Sequence, residues 1–263
     1  MLEINYYTKL LGVVGENIPY TLSPSIHNYV FQKLEINAVY LVFDIKKEKF
    51  HATFPGLLNI SYGLNITIPY KEEALRYVRP EKEAEMIGAV NTIFEGKGYN
   101  TDYIALNTLI REKVDVNEIK VCTVFGAGGA ARAVIYSLLN AGCEVFVINR
   151  STERAERLRE EVSQKGFSIK IAGECPKSDV VVNTTPDPNF VSDECVQGKL
   201  VIDFVYKPVK TSLIIRAEKR GINTINGIEI LVEQALEADK IWFGKRLDRN
   251  EVMGYLYARQ LVR

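Results

Sequence analysis

The chain has 263 residues, of which 47% are hydrophobic and 25% are charged, a composition typical of a globular protein. Its 33 Lys and Arg residues balance 33 Asp and Glu residues, so net charge gives no support for a nucleic-acid or membrane partner. No apolar run approaches the roughly 18 residues that a transmembrane helix needs, and the N-terminal residues do not resemble a signal peptide. We therefore expect a cytoplasmic protein.

Metal-binding patterns are missing from the sequence. The chain has four cysteines and two histidines, namely Cys122, Cys143, Cys175, Cys195, His27 and His51. The cysteines form no CxxC pair, which favours reduced thiols. Because neither histidine has a second ligand at metal-binding spacing, we expect no metal site.

The first hundred residues alternate short apolar runs with amphipathic stretches. These runs predict strands at 10–15, 39–45 and 62–68, helices at 24–36, 46–58 and 71–78, and then a short hairpin. We expect an α/β fold for this part of the chain.

The rest of the chain has a more regular rhythm of strands and helices. Strands are predicted at 121–126, 144–149, 168–171, 179–183 and 200–205, and helices at 102–113, 228–241 and 248–261. The change of rhythm near residue 102 predicts two α/β domains with mostly parallel strands.

A glycine-rich turn follows the predicted strand at 121–126. The segment Gly126-Ala127-Gly128-Gly129-Ala130-Ala131 fits the G-x-G-x-x-G/A pattern of dinucleotide-binding folds. Gly126 allows a tight turn, Gly128 lets the backbone approach a pyrophosphate, and the small Ala131 permits close helix packing. The helix N-terminus then offers N–H groups to phosphates. The alternative is a strand–helix turn that binds nothing.

The residues after the next strand indicate which dinucleotide is bound. A site that prefers NAD usually has a carboxylate there for the ribose 2′-OH, whereas this chain has Asn149, Arg150 and Ser151, with Arg154 one turn on. Two guanidiniums would hold a 2′-phosphate through charge-assisted bonds, so NADP is favoured. The alternative is that Arg150 and Arg154 are solvated charges at a helix start.

Polar residues recur at strand and loop ends in the first half. In the strand 62–68, the period of two places Asn65 and Thr67 on one face and Ile66 and Ile68 in the core, with Lys71 close by. Similar clusters occur at 21–24, 91–92 and 100–102. Each could consist of caps or turn residues, but together they favour a site for a polyhydroxylated ligand.

These motifs together resemble the shikimate dehydrogenase family along nearly the whole chain. The resemblance rests on TLSPSIHN at 21–28, NITIPYK at 65–71, GAVNT at 88–92, NTD at 100–102, GAGGAAR at 126–132, NRS at 149–151, DFVYKP at 203–208, and Asn226-Gly227 followed by Gln234. It implies NADPH-dependent reduction of 3-dehydroshikimate to shikimate, on the pathway to chorismate and aromatic amino acids.

The resemblance also implies domains and residue roles. Residues 1–102 and 229–263 would form the substrate-binding domain, to which the C-terminal helices return, and residues 103–228 would form a Rossmann-type, doubly wound NADP domain. The implied catalytic pair is Lys71 and Asp102. The implied substrate ligands are Thr21, Ser23, Asn65, Thr67, Lys71, Asn91, Asp102, Tyr206 and Gln234. The implied cofactor ligands are Gly126, Ala127, Gly128, Gly129, Ala130, Asn149, Arg150, Ser151, Arg154 and Gly227.

Three positions depart from the family pattern. Thr21 stands where Ser is common, Tyr103 where Gly is frequent, and Ile230 where Met is common. We expect Tyr103 to have the largest effect on substrate access. A quinate/shikimate dehydrogenase, an enzyme for an amino analogue, and a non-catalytic NADP sensor remain alternatives. Either a monomer or a homodimer is compatible with the sequence.

Overall fold

The computed structural model describes residues 4–262, which divide into two compact units. Unit 1 comprises residues 4–101 and 232–261, and unit 2 comprises residues 102–231 and 262. Unit 1 is therefore built from two separate stretches of chain. No helix of the described residues is long and apolar enough to cross a membrane.

The described residues form strands and α-helices that alternate along most of the chain. The strands are β1 (Lys9–Gly15), β2 (Ala38–Asp44), β3 (Gly63–Ile66), β4 (Arg79–Pro80), β5 (Thr92–Phe94), β6 (Lys97–Tyr99), β7 (Val121–Phe125), β8 (Glu144–Ile148), β9 (Ile169–Ile171), β10 (Val180–Asn183), β11 (Leu200–Asp203) and β12 (Asn223–Ile225). The α-helices are α1 (Ser23–Lys33), α2 (Lys47–Ile60), α3 (Lys82–Ile87), α4 (Thr101–Lys113), α5 (Gly129–Asn140), α6 (Thr152–Gln164), α7 (Ser212–Lys219), α8 (Gly227–Phe243) and α9 (Arg249–Ala258).

Unit 1 contains a mixed six-stranded sheet in the order β2-β1-β3-β5-β6-β4. Strand β1 pairs in parallel with β2 and β3, whereas the β5–β6 hairpin adds antiparallel partners. One core cluster joins the N-terminal strands to α8, because Leu11, Phe31 and Tyr40 pack with Ala238 and Trp242. The Trp242 indole also donates a 3.0 Å hydrogen bond to the Ile93 carbonyl. The C-terminal stretch is thus part of the core of unit 1.

Unit 2 contains a parallel six-stranded sheet in the order β12-β11-β10-β7-β8-β9. This is the order of the doubly wound dinucleotide-binding fold, in which the first strand lies next to the fourth. Its central strands are continuous apolar runs, such as VVVN at β10, because both faces of a parallel sheet are covered by helices. The two-domain α/β architecture expected from the sequence is confirmed.

Several predicted elements in unit 1 need correction. The strand predicted at 62–68 ends at Ile66, and Ile68 is 71% exposed, not buried as predicted. The chain turns there, because the Tyr70 N–H bonds to the Thr67 carbonyl and Pro69 has no N–H to donate. The helix predicted at 71–78 is a 3₁₀-helix, Glu73–Tyr77.

Candidate active site

Asn65 lies in β3 at the centre of a buried group of polar side chains in unit 1. Its Nδ2 donates to the Asn91 carbonyl at 3.1 Å and to Thr92 Oγ1 at 3.0 Å. Its Oδ1 accepts a 2.6 Å hydrogen bond from the Tyr40 hydroxyl. Because buried polar groups need partners, these bonds fix the orientation of the amide.

Asn91 and Gln234 are joined to the same group by the Thr101 side chain. Asn91 Oδ1 accepts from the Thr101 N–H at 2.7 Å, which fixes the amide at the start of α4. The Thr101 hydroxyl lies 3.2 Å from Asn91 Oδ1 and 3.4 Å from Gln234 Oε1. Residues from β3, the β5 strand, α4 and α8 therefore meet in unit 1.

The N-terminus of α1 brings two further hydroxyls to this group. The Thr21 hydroxyl donates to Ser23 Oγ at 3.1 Å and accepts from the Ser23 N–H at 3.3 Å. The Ser23 side chain is close enough to the Tyr40 hydroxyl to oppose the rise in the Tyr40 pKa that burial causes. Tyr40 thus bonds to Asn65 and lies near Ser23, two predicted substrate ligands that are 42 positions apart in the sequence.

A buried His–Asp pair lies beneath the Tyr40 ring. Tyr40 stacks on His27 with ring centroids 4.2 Å apart, and His27 Nδ1 lies 2.7 Å from Asp239 Oδ1. Both members of the pair are fully buried. Burial raises the pKa of Asp239, and His27 opposes that rise. Burial and, after it, the Asp239 charge raise the pKa of Tyr40 well above its ordinary value, although Ser23 lowers it.

One predicted catalytic residue lies in a turn and the other at the start of a helix. Lys71 follows the turn after β3, and its carbonyl accepts a 2.9 Å bond from the Val90 N–H, which ties it to the segment that carries Asn91. Thr67, also a predicted ligand, is half-buried at the start of that turn. Asp102 is the second residue of α4 and is 7% exposed.

In unit 2, the glycine turn lies between the ends of two adjacent strands. The Gly126 N–H donates to the Ile148 carbonyl at 2.9 Å, and Phe125 pairs with Ile148. Gly126 has a φ of +113°, and a Cβ there would lie 2.3 Å from Thr184 Oγ1, so glycine is required. A Cβ on Gly128 would meet nothing, which leaves open space above the backbone.

Helix α5 begins at this turn without a side-chain cap. Its first N–H groups are therefore available to an anion such as a pyrophosphate. Gly129 and Ala130 form the first turn of the helix, whereas Ala127 lies in the loop before it. The chain here fits a dinucleotide, because the tight turn at Gly126, the open space at Gly128 and the N-terminus of α5 lie next to one another.

The end of β8 carries the residues predicted to recognise the ribose phosphate. The Ser151 hydroxyl caps α6 by accepting from the Arg154 N–H, and Asn149 Nδ2 bonds to the Ser151 carbonyl at 2.8 Å. Arg150 and Arg154 are both exposed, and neither forms an ion pair with a carboxylate within residues 4–262. The Ser151 hydroxyl also donates to Glu153, the carboxylate closest in sequence.

The loop that carries Tyr206 is held by a buried carboxylate. Asp203 accepts from the Val205 N–H at 3.1 Å, from Asn183 Nδ2 at 3.0 Å and from the Thr211 hydroxyl at 2.5 Å. Burial raises the pKa of Asp203, whereas these three donors oppose the rise. The bonds from Val205 and Thr211 to Asp203 therefore anchor the chain on either side of Tyr206.

Gly227, Tyr103 and Ile230 occupy defined places in unit 2. A Cβ on Gly227 would lie 2.6 Å from the carbonyls of Phe204 and Val205, so only glycine fits. The Tyr103 hydroxyl accepts a 2.9 Å bond from Asn140 in α5. Ile230 is 3% exposed and is part of the core.

The sequence did not single out the residues that hold predicted ligands or their loops in place. Tyr40, Asp203 and Asn183 have this role, and none of them belonged to the predicted site. For Tyr40 a local pattern was present, because buried positions alternate with a less buried one at the start of β2, where Ala38 and Tyr40 are the buried residues. The bonds from Tyr40 to Asn65, from Asn183 to Asp203 and from Thr211 to Asp203, however, join residues 8 to 25 positions apart in sequence.

Comparisons with known proteins identify the family. Residues 13–93 match the family model described as shikimate dehydrogenase substrate binding domain, and residues 108–200 match that of shikimate / quinate 5-dehydrogenase. A shikimate dehydrogenase of Sulfurisphaera tokodaii is 66% identical over 262 residues and covers 100% of both chains. The chain belongs to the shikimate dehydrogenase family. The resemblance predicted from the motifs is therefore confirmed, and the chain is an oxidoreductase of this family.

Other shikimate dehydrogenases are similar to this chain over nearly its whole length. The Sulfolobus acidocaldarius protein named shikimate dehydrogenase (NADP(+)) is 60% identical, with 100% of both chains covered. A crystal structure of a shikimate dehydrogenase in complex with NADP+ has a TM-score of 0.87 at 33% identity, with 99% of this chain and 98% of that chain covered. A Thermus thermophilus shikimate dehydrogenase in complex with NADP(H) and shikimate has a TM-score of 0.84 at 29% identity, covering 97% and 100%.

Proposed function

We propose that this chain catalyses the reversible, NADPH-dependent reduction of 3-dehydroshikimate to shikimate, on the pathway to chorismate and aromatic amino acids. The observation that carries the proposal is the polar group in unit 1, in which three predicted substrate ligands meet, namely Asn65, Asn91 and Gln234, with Ser23 and its partner Thr21 near Tyr40 of the same group. Neutral amides and hydroxyls suit a ligand with several hydroxyl groups. The named relatives support the same reaction.

The domain roles form part of this proposal. Residues 1–102 and 229–263 would bind the substrate, and residues 103–228 would bind NADP(H). The strand order of unit 2 and its uncapped helix at the glycine turn support the second assignment. Arg150 and Arg154 would hold the 2′-phosphate, and Gly227 would lie beside the nicotinamide.

The remaining residues would bind and orient the substrate. Thr21 and Ser23 would bind its carboxylate, while Asn65, Thr67, Asn91, Asp102 and Gln234 would bind its ring oxygens. Tyr206 would close over the carboxylate. The bonds that Asp203 makes to Val205 and Thr211 support a defined position for that loop.

The proton chemistry would depend on Lys71 and Asp102. The bound cofactor supplies the hydride that reduces the ketone. The Lys71 ammonium would stabilise the developing alkoxide and give it a proton, and Asp102 would hold a hydroxyl of the substrate. In the reverse direction the amine of Lys71 would accept the proton of the hydroxyl group.

The location and assembly of the chain remain predictions. A cytoplasmic location agrees with the structure in one respect, since all four cysteines are free. We expect a monomer or a homodimer.

A single assay tests the proposed function. Purified protein is mixed with NADP and shikimate, and absorbance of NADPH is followed; quinate replaces shikimate in a parallel series. We expect kcat/KM for shikimate to be far above that for quinate, because quinate adds a hydroxyl at the carboxylate-bearing carbon and puckers the ring. A value for quinate that equals or exceeds that for shikimate would favour a quinate dehydrogenase, and no turnover of either would favour an NADP sensor.

A further inference from the structure

The direction of each hydrogen bond around Asn65 follows from the Asn91 carbonyl. A carbonyl oxygen can only accept, so the Asn65 atom 3.1 Å away must be Nδ2, whose second hydrogen goes to Thr92 Oγ1. Both amide hydrogens are therefore used inside the protein. Asn65 Oδ1 is left facing Tyr40, and the Tyr40 hydroxyl must donate to it across 2.6 Å.

This direction determines what Tyr40 can offer to Ser23. A tyrosine hydroxyl has one hydrogen, and that hydrogen is committed to Asn65. Toward the nearby Ser23 the Tyr40 oxygen can therefore only accept.

The Tyr40 ring is fixed on its buried side. Tyr40 is 1% exposed, and its ring lies at 20° to the His27 imidazole. His27 is held by Asp239 on α8, and Trp242 lies 5.3 Å from the His27 ring. Because the ring is packed on this pair, its hydroxyl is held against Asn65 Oδ1.

We propose that Tyr40 is a positioning residue whose hydroxyl, fixed by packing on the His27–Asp239 pair, donates to Asn65 Oδ1 and holds that carbonyl oxygen where it can also accept from the ligand. Asn65 then recognises a hydroxyl group that donates, since its two N–H groups are already bonded. Tyr40 itself does not touch the substrate. This inference rests on the proposed function of the same residues as substrate ligands.

Removal of the Tyr40 hydroxyl leaves Asn65 Oδ1 without its protein donor. The space vacated by one oxygen is smaller than a water needs, so solvent does not replace it. The Asn65 side chain then loses the bond that holds its oxygen in place for the ligand. The loss should appear mainly in substrate binding.

The test is Tyr40→Phe, which removes only the hydroxyl and keeps the ring. We expect KM for shikimate to rise about 5–30-fold, with kcat changed less than about threefold and KM for NADP unchanged. The control is Tyr62→Phe, in which the lost hydroxyl bonds to the Trp242 carbonyl in the same unit and contacts no predicted ligand. The control should keep the wild-type KM.

A double-mutant cycle separates positioning from simple packing. In an Asn65→Ala background there is no amide to orient, so Tyr40→Phe should then change KM for shikimate by less than about threefold. An equal effect in both backgrounds, or an unchanged KM in Tyr40→Phe itself, overturns the inference. If the wild type does not oxidise shikimate, the proposed function fails; a normal wild type with a normal Tyr40→Phe variant refutes the inference alone.

Discussion

Lys71 is the residue whose removal should affect the reaction most. Its backbone is fixed by the bond to Val90, so truncation of the side chain should leave the local fold intact. Because loss of a general acid–base group typically costs 10²–10⁴-fold, Lys71→Ala should lower kcat for shikimate oxidation by about that factor.

The Lys71 experiment measures kcat and the Kd for NADP in the variant and in a control. The control is Lys82→Ala, since Lys82 is exposed at the start of α3 and has no predicted role. Both proteins should bind NADP normally. A Lys71→Ala variant within about tenfold of the wild-type kcat would show that another group or water carries the proton.

Arg150 should determine the choice between the two cofactors. A bond to a charged phosphate contributes about 1.5–3 kcal/mol, so Arg150→Ala should weaken NADP binding by roughly 10–150-fold and leave NAD nearly unchanged. Titration of each cofactor into the variant measures the two Kd values. Arg157→Ala, on the exposed side of α6 one turn further on, is the matched control. Equal losses of affinity for NADP and NAD would contradict the assignment of Arg150 to the 2′-phosphate.

At the scale of elements, Asp179 connects the first residues of neighbouring strands in unit 2. Its Oδ2 accepts from the N–H groups of Lys120 and Val121 at 2.8 and 3.1 Å. Its own carbonyl accepts from the Lys199 N–H at 2.7 Å, just before β11. The bond from Lys120, followed by the bond from Val121, lowers the pKa of Asp179 below its ordinary value.

Asp179→Asn should therefore reduce stability in a pH-dependent way. A depressed pKa in the folded protein stabilises it above the ordinary pKa of 3.8, and this contribution is lost as pH falls through the lower folded value. We expect the variant to lose about 1–2 kcal/mol of unfolding free energy at pH 7, and the difference from wild type to shrink below pH 3.8.

Denaturant unfolding at several pH values measures this difference. Glu194→Gln is the control, because Glu194 is an exposed carboxylate of the same unit. The control should follow the wild type at every pH. If the difference in unfolding free energy between Asp179→Asn and wild type stays constant down to pH 2, the carboxylate charge does not have this role.

The sequence predicted elements well where a local pattern is sufficient. Strand β7 and the glycine turn were predicted because the apolar run and the glycines adjoin each other. Strand β12 was missed, since it has three residues of which only Ile225 is fully buried. Helix α3 was missed because KEAEMI is short and mostly charged.

The candidate site was predictable only in part, because many of its bonds join residues that are far apart in sequence. The motifs predicted which side chains are polar and lie at strand ends, as for Asn65. They did not predict that Tyr40, 25 positions away, bonds to Asn65, nor that Asp203 holds the Tyr206 loop through Thr211. Such bonds depend on strand order and register, which a sequence pattern does not encode.

At the scale of the molecule, a charged cluster joins residues of the C-terminal stretch of unit 1. Arg246 forms bonds of 2.9 and 3.0 Å to the two oxygens of Glu233 and also contacts Glu237, while Arg249 lies 3.3 Å from Glu233. The Glu233 side chain is 1% exposed. This bidentate pair links α8 to the segment that leads into α9.

Arg246→Ala should destabilise the protein by about 3 kcal/mol, because it removes the bidentate partner of the buried Glu233 carboxylate. Lys245→Ala is the control, since this neighbouring lysine is exposed and should change stability by less than about 0.5 kcal/mol. Thermal and denaturant unfolding measure both effects. Equal stability of the two variants would show that the cluster contributes little.

The core position of Trp242 makes the two units optically distinguishable. The chain has one tryptophan, and it lies in the core of unit 1 at 2% exposure, against the N-terminal strands. Its fluorescence on denaturation reports the loss of packing in unit 1, whereas far-ultraviolet circular dichroism averages the helices of both units. Coincident midpoints from the two signals indicate one cooperative transition, and separate midpoints indicate that each unit unfolds on its own.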